Sequence, residues 1–254
     1  MSRYDTLGRS YARTRATDPR IASVIWAALG DARTVVNVGA GTGSYEPPDR
    51  ELTAVEPSEV MIAQRPPDAA PAVHAAAEAL PFGDDGFDAA MAVLTLHHWS
   101  DWRRGVAELL RVARERVVVF SWDPAFAGRM WVSRDYFPEL IDDDVRLFPS
   151  LAEQAAALGD AQIISVPIAH DCRDGFYGAH WRRPEAYLDP EVRAGISTLA
   201  KRSDAELAPG LQRLRADLES GAWARRHAEL LELAELDLGY RVLVSGAGAA
   251  GRGA

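Results

Sequence analysis

The stretch "VVNVGAGTGSYEPPDRELTAVEP", Val35 to Pro57, joins two short apolar runs through a loop that holds Gly39, Gly41 and Gly43. The first run is rich in β-branched residues, which favour strands, and the second ends on the carboxylate of Glu56. Because glycine lets backbone N–H groups approach a ligand closely, we expect a nucleotide-like ligand above the carboxyl end of the first strand. The stretch therefore predicts a ligand site at one edge of a parallel sheet.

The glycine loop matches neither of the two common phosphate-binding patterns. A Walker loop needs a lysine after the glycines, and "GAGTGSYEPP" has none. The dinucleotide fingerprint G-x-G-x-x-G is broken by Ser44 at its third glycine, and Pro47 and Pro48 leave little room for a crossover helix that would face a pyrophosphate. A ribose-bearing ligand without phosphates fits best, with both ribose hydroxyls on Glu56.

Strand and helix patterns alternate along the first half of the chain. Two helices are predicted: one has Asp18 as N-cap, Pro19 at its first position and Gly30 as C-cap, and the other spans Asp101 to Arg114. The strand candidates are Thr34 to Gly39, Leu52 to Glu56, Pro71 to Ala76, Phe87 to Leu94, Arg116 to Trp122, Ala161 to Ala169 and Gly239 to Ser245. This alternation predicts an α/β fold with a doubly wound, mostly parallel sheet.

The long gap between the last two strand candidates predicts a helical insertion. We expect an N-terminal helical lid at 1–30, a Rossmann-like core at 31–171 and 239–246, a helical cap at 172–238 and a disordered tail at 247–254.

Composition narrows the partners. The net charge of -9 disfavours a nucleic-acid partner, which needs a clustered basic surface, and no run has the roughly 18 apolar residues of a membrane span. Cys172 is the only cysteine, so no internal disulfide can form, and Lys201 is the only lysine among many arginines, as is typical of GC-rich bacterial genomes. We expect a cytoplasmic bacterial protein, monomeric or homodimeric, with a small-molecule partner.

At this point the sequence resembles the class I S-adenosylmethionine-dependent methyltransferases, specifically the small-molecule type 11 group. The resemblance covers roughly Val35 to Asp123, through "VVNVGAGTG", "AVEPSEVM" and "AAAEALPFGDDGFDAAMAVLTLHHWSD". It implies a seven-stranded sheet whose last strand is antiparallel, with S-adenosylmethionine as cofactor and S-adenosylhomocysteine as product. It also implies the transfer of a methyl group to oxygen, nitrogen or carbon of a small acceptor.

The resemblance implies a set of cofactor residues. Gly39, Ala40 and Gly41 would lie against the methionine part, Glu56 would take the ribose, and Met61 would pack on the adenine. The remaining members of the predicted cofactor set are Tyr11, Asn37, Pro57, Ala77, Glu78, Leu94 and Thr95.

Two positions depart from the family pattern. Asn37 stands where an acidic residue is usual in the first strand, and Ala76 stands where an aspartate is usual before Ala77 and Glu78. An amide offers no charge to the cofactor, and an alanine accepts no hydrogen bond. A catalytically silent protein that binds S-adenosylmethionine or S-adenosylhomocysteine is therefore the alternative to a methyltransferase.

His97 and His98 follow the fourth strand candidate, at the edge where open α/β sheets bind ligands. Either imidazole could take a proton from the acceptor, and either could instead cap the next helix. The cap candidates for acceptor binding are His170, Tyr177, Trp181 and Arg183. We expect no metal site, because the histidines and Cys172 have no ligand-like spacing.

Overall fold

The protein is described here from a computed structural model that covers residues 15–159 and 161–246. Residues 1–14 of the predicted lid, which include Tyr11, and the tail at 247–254 lie outside the described residues. The strands are β1 (Thr34–Val38), β2 (Glu51–Val55), β3 (Ala72–Val73), β4 (Phe87–Val93), β5 (Ala113–Trp122), β6 (Gln162–Ser165), β7 (Ile168–Ala169), β8 (Glu235–Leu236) and β9 (Tyr240–Gly246). The main sheet has seven strands in the order β3-β2-β1-β4-β5-β9-β6.

The first five strands of this sheet are parallel, and β9 lies antiparallel between β5 and β6. The apolar residues of β1 and β4 are buried on both faces of the sheet, as is typical of a sheet covered by helices on either side. At the end of β5, Trp122 pairs with Tyr240 of β9. The predicted doubly wound fold and its antiparallel last strand are confirmed.

Helices flank the sheet. They are α1 (Pro19–Ala28), α2 (Glu59–Ile62), α3 (Trp102–Val112), α4 (Glu139–Leu147), α5 (Leu151–Ala157), α6 (Pro190–Gly195), α7 (Ser197–Ala200), α8 (Asp204–Glu219), α9 (Ala222–Arg226) and α10 (Ala228–Leu231). The Asp18 side chain accepts a hydrogen bond from the Arg20 backbone N–H, which makes it the predicted N-cap of α1. In α3 the predicted apolar stripe buries Val106 and Leu109 against the sheet.

The connection between β1 and β2 contains no helix. Residues 39–50 form turns, and the chain passes directly from the glycine loop to Glu51 at the start of β2. Pro47 and Pro48 lack backbone N–H groups, so this short segment cannot build a helix interior. No crossover helix therefore covers the edge of the sheet at the carboxyl end of β1.

The prediction of one continuous strand from Ala161 to Ala169 is wrong. It consists of β6, which joins the main sheet, and β7, which pairs with β8 in a separate two-stranded ribbon. Pro167 stands between them, and a proline cannot donate the ladder hydrogen bond that a continuous strand would need. The ribbon holds the two ends of the helical insertion side by side.

The cap over the sheet is larger than the insertion alone. Between β5 and α5 the chain forms a 3₁₀ helix (Pro124–Arg129), a π-helical turn (Val132–Tyr136) and α4, in a segment that sequence reasoning assigned to the core. Arg213 of α8 donates a hydrogen bond of 2.6 Å to the Tyr136 carbonyl, and Thr198 of α7 bonds Asp144 of α4. Residues 124–148 therefore pack on the insertion and form the second part of the cap.

Across residues 15–159 and 161–246, none of the helices combines the length and the apolar character needed to cross a membrane.

Candidate active site

The glycine loop is shaped by three left-handed backbone conformations. The φ angles of Gly39, Gly41 and Gly43 are 72°, 53° and 98°. A side chain at Gly39 would also collide with Thr95, because a Cβ atom there would lie far inside contact distance of the threonine side chain. Gly39 therefore serves both the turn and the close approach of the loop to the end of β4.

Glu56 lies at the end of β2 and faces this loop. Its carboxylate is buried and accepts hydrogen bonds of 2.9 Å from the backbone N–H groups of Gly41 and Ser58. Burial raises the pKa of Glu56, and the two N–H donors partly offset that rise. Each carboxylate oxygen keeps further acceptor capacity, so the group can still bind hydroxyls.

A cavity of about 320 Å³ opens between the loop, the end of β2 and the end of β4. Its walls bring together every described residue of the predicted cofactor set: Asn37, Gly39, Ala40, Gly41, Glu56, Pro57, Met61, Ala77, Glu78, Leu94 and Thr95. The cavity is also lined by residues outside the predicted cofactor set: Arg15, Thr42, Ser44, Ala76, Val93, His98, Trp99 and Ser100. Apart from Arg15, which precedes α1, and Val93, which ends β4, these residues could have been found by taking whole loops at the carboxyl ends of the strands instead of motif positions alone.

Asn37 gives the cavity an available acceptor. Its Nδ2 donates a hydrogen bond of 3.1 Å to Glu46, which in turn holds Arg65 in an ion pair of 2.8 Å. With that orientation of the amide, Asn37 Oδ1 is buried and has no hydrogen-bond partner among the described residues. An unpartnered buried oxygen costs free energy, which a ligand N–H group would recover.

These features fit S-adenosylmethionine. The cavity has the size of a small-molecule site, Glu56 can take ribose hydroxyls, and Asn37 Oδ1 can take an ammonium group. The residues at hand therefore match the ligand that the sequence resemblance implies.

A second cavity lies next to the first, under the cap. Its volume is about 60 Å³, against about 320 Å³ for the first cavity, and aromatic side chains form much of its wall. Arg15, Leu94 and His98 line both cavities and form their common boundary. A group bound in one cavity thus lies beside a group bound in the other.

Leu94 is strained at this boundary. It has a φ of 49°, in the left-handed region that a leucine rarely adopts, and its backbone N–H donates to the Phe120 carbonyl at 2.8 Å. Such strain persists only where the surrounding structure enforces it, and it concentrates at functional sites.

The two predicted histidines occupy different positions. His97 stacks on Phe148 with ring centroids 3.9 Å apart, and His98 lies beside it at 3.7 Å. Burial among protein atoms, followed by the charge of His98, holds the pKa of His97 well below its usual range. His97 lines only the second cavity, whereas His98 lines both cavities at their common boundary.

Of the four predicted cap residues, only Tyr177 lines the second cavity, and its hydroxyl pairs with Ser133 Oγ at 2.8 Å. Trp181 is buried in the cap, where its Nε1 donates to the Ile168 carbonyl at 2.9 Å. Arg183 donates to the Cys172 carbonyl at 2.6 Å. His170 sits beside the ribbon, with its backbone N–H on the Ala234 carbonyl. These last three residues lie outside both cavities.

Asp174 connects three segments around the site. It pairs with Arg15 through two hydrogen bonds, of 2.6 and 3.1 Å, and accepts a third from the Tyr45 hydroxyl at 2.8 Å. Asp174 belongs to the insertion, Tyr45 follows the glycine loop, and Arg15 precedes α1. The cap is thereby fixed to the cofactor side of the molecule.

Within the described part of the chain, no group of three or more histidine, cysteine, aspartate or glutamate side chains is arranged to hold a metal ion.

Comparison with known proteins identifies the family. The profile of a family described as "Methyltransferase domain" matches residues 36–120. A solved structure from Anabaena variabilis, described as a "putative methyltransferase from antibiotic biosynthesis pathway", is 36% identical with a TM-score of 0.85. The alignment covers 91% of this chain and 98% of that one. The chain belongs to the class I S-adenosylmethionine-dependent methyltransferases. It is therefore an enzyme, and its cofactor is S-adenosylmethionine.

Other methyltransferase structures are more distant. A Thermotoga maritima protein described as a "possible histamine N-methyltransferase" is 22% identical with a TM-score of 0.48, over 65% of this chain and 79% of that one. A "putative methyltransferase" from Bacillus halodurans is 13% identical with a TM-score of 0.48, over 94% of this chain and 97% of that one. A sequence search of curated proteins gives no match.

Proposed function

We propose that this methyltransferase acts on a small-molecule acceptor held in the second cavity. The observation that carries the proposal is the common boundary formed by Arg15, Leu94 and His98. A methyl donor in the first cavity and an acceptor in the second would meet there, under the cap. The Anabaena relative's description, which places it in antibiotic biosynthesis, agrees with a small organic acceptor.

The first cavity would hold the cofactor as the family resemblance implies. Glu56 would accept hydrogen bonds from the ribose hydroxyls, and Met61 would cover one face of the adenine beside Ala77 and Glu78. The backbone of Gly39 and its neighbours would lie under the methionine part, and Asn37 Oδ1 would accept a hydrogen bond from its ammonium group. The amide would thus keep the acceptor function of the usual acid without its charge.

When bound, S-adenosylmethionine supplies a methyl group that its sulfonium already activates. The chain's contribution is to align the acceptor and to exclude water, for which the aromatic walls under the cap are suited. His98 would take the proton of a hydroxyl, phenol or ammonium, because it reaches the boundary. His97 would form part of the acceptor wall, since its lowered pKa makes it a weak proton acceptor.

The proposal is tested by incubating the protein with methyl-labelled S-adenosylmethionine and a bacterial metabolite extract. We expect label in one or a few small organic products and none in protein, nucleic acid or lipid fractions. Glu56→Ala is the control that should lose labelling through lost cofactor affinity. Tight binding of S-adenosylmethionine without label in any small molecule would contradict a small-molecule acceptor.

We also infer a cytoplasmic bacterial enzyme that is a monomer or homodimer. The inference is supported by the single cysteine, Cys172, and by the predominance of arginine over lysine. Light scattering coupled to size-exclusion chromatography measures the oligomeric state directly.

A further inference from the structure

A buried carboxylate stands in the wall of the second cavity without a counter-ion in contact. Asp144 of α4 is 2% exposed. Its Oδ1 accepts a hydrogen bond of 3.0 Å from the Thr198 hydroxyl. In the described part of the chain its Oδ2 makes no hydrogen bond and no ion pair. Asp144 lies one helical turn before Phe148, the residue that stacks on His97, so both side chains project towards the same cavity.

The polar groups of the aromatic residues in this wall already have hydrogen-bond partners within the protein. The Trp122 indole N–H donates to the Leu238 carbonyl at 2.8 Å, and the Tyr177 hydroxyl pairs with Ser133. The Tyr240 hydroxyl accepts a hydrogen bond from the Gly178 N–H at 3.1 Å. Phe148 and Phe176 complete the aromatic lining. A ligand in this cavity therefore meets ring faces and edges and the Asp144 carboxylate. The other polar side chains that line the cavity are Arg15, His97, His98, Ser197 and Thr198.

No positively charged side chain of the described residues forms an ion pair with Asp144. Arg15 is neutralised by Asp174 through two hydrogen bonds. The lowered pKa of His97 keeps its ring neutral, and His98 faces the cofactor boundary. The charge of Lys201 acts on Asp144 more weakly than burial does.

Burial is the main reason why the pKa of Asp144 rises to about 6. At neutral pH the carboxyl is still mostly ionised. A buried anion without a partner is costly, and a cation that enters the cavity recovers much of that cost.

We propose that the acceptor carries a basic amine, bound as an ammonium group by Asp144 Oδ2 between the aromatic walls. The inference rests on the proposed function, because it takes the second cavity as the acceptor site. An ammonium group gains a charge-assisted hydrogen bond from the carboxylate and an attraction from the ring faces. A neutral alcohol of the same shape gains neither in full, and a carboxylate is repelled.

The test compares matched probes. Benzylamine and phenethylamine are titrated calorimetrically against benzyl alcohol and phenethyl alcohol, with and without S-adenosylhomocysteine. The proteins are wild type, Asp144→Asn and Asp142→Asn. Asn at position 144 keeps the shape and the oxygen that Thr198 bonds, while Asp142 is exposed on the same helix and controls for a change of one charge. Thermal unfolding of each variant confirms that it folds.

We expect wild type and Asp142→Asn to bind each amine at least about tenfold more tightly than its alcohol, and Asp144→Asn to lose this preference. Failure of both amines to bind wild type, equal binding of amines and alcohols, or a preference that survives in Asp144→Asn would overturn the proposal. The affinity for S-adenosylhomocysteine is measured separately. Normal binding of that product without an amine preference rejects the amine alone, whereas its loss speaks against the cofactor site itself.

Discussion

The Tyr45 hydroxyl donates a hydrogen bond of 2.8 Å to Asp174 Oδ2, and this contact joins the segment after the glycine loop to the cap. Both side chains are buried, and Asp174 also holds Arg15. The glycine-loop side of the molecule and the cap therefore share one carboxylate. A change at Asp174 should be felt at both.

We expect Tyr45→Phe to lower the free energy of unfolding by about 1 to 2 kcal/mol, because Asp174 keeps its bonds to Arg15. Asp174→Ala should cost about 3 to 5 kcal/mol, since it removes both hydrogen bonds of the ion pair while the Arg15 side chain remains buried. Urea denaturation measures both, with the exposed Asp171→Ala as a control that should change little. Equal effects of Tyr45→Phe and Asp174→Ala would show that the ion pair contributes nothing.

Glu56→Ala should weaken the binding of S-adenosylhomocysteine by about 2 to 4 kcal/mol, the usual contribution of two hydrogen bonds to a charged group. Calorimetric titration measures the change. Glu59→Ala removes an acid only three residues away whose side chain is 84% exposed, so it should bind as wild type does. If the two variants bind equally well, Glu56 does not contact the ribose.

Gly39→Ala should strongly impair cofactor binding. The new methyl group must adopt a left-handed conformation and displace Thr95 from the end of β4. Gly83→Ala is the matched control, because a Cβ atom there has no neighbour within 4 Å and its φ is unstrained. A Gly39→Ala protein with unchanged affinity for S-adenosylhomocysteine would mean that the loop does not approach the ligand.

His98→Ala should reduce kcat by about 10² to 10⁴, the usual contribution of a positioned general base, with little change in affinity for S-adenosylhomocysteine. His97→Ala should change the acceptor KM more than kcat, because its ring stacks in the wall with Phe148. Steady-state kinetics on the labelled acceptor separates the two effects. Normal turnover by both variants would show that alignment alone carries the reaction.

Asp144→Asn should stabilise the protein above about pH 6 and have little effect near pH 4. The Asp144 carboxyl binds its proton more tightly in the folded protein, with a pKa of about 6, than at its ordinary value of 3.8. Folding therefore becomes less favourable as pH rises between these values, by about 3 kcal/mol in full. Asn lacks this cost. Urea denaturation of both proteins at about pH 4 and about pH 8 measures the difference. A variant no more stable than wild type at the higher pH would contradict the buried charge.

The cofactor side of the molecule could be predicted from sequence because its residues lie at strand ends. Glu56 directly follows β2 and Leu94 directly follows β4, the two strands that lie on either side of β1. Parallel strands bring their carboxyl ends to one edge of the sheet. For this reason motif positions were sufficient to find part of the wall of the first cavity, and the remaining wall residues lie mostly beside them in the same loops.

The acceptor side could not be predicted in this way. Asp144 and Phe148 come from a segment assigned to the core, and they reach the cavity only because α4 packs on α7 of the insertion. Trp181 and Arg183 looked equally suited to a ligand, yet the Trp181 indole N–H and one Arg183 guanidinium nitrogen donate to backbone carbonyls instead. Which polar side chain faces a cavity depends on tertiary contacts that residue type and spacing do not specify.

The short ribbon of β7 and β8 also bears on how such an enzyme can change its substrate. Ile168 pairs with Leu236 and Ala169 with Glu235, so the polypeptide leaves the core and returns to it at adjacent points. The entropy lost in closing a loop grows only by about 0.6 kcal/mol for each doubling of its length. Insertions, deletions and substitutions between these two points can therefore remodel the second cavity while β9 keeps its register against β5. Selection can thus vary the proposed acceptor site while the strands that carry the first cavity keep their places in the sheet.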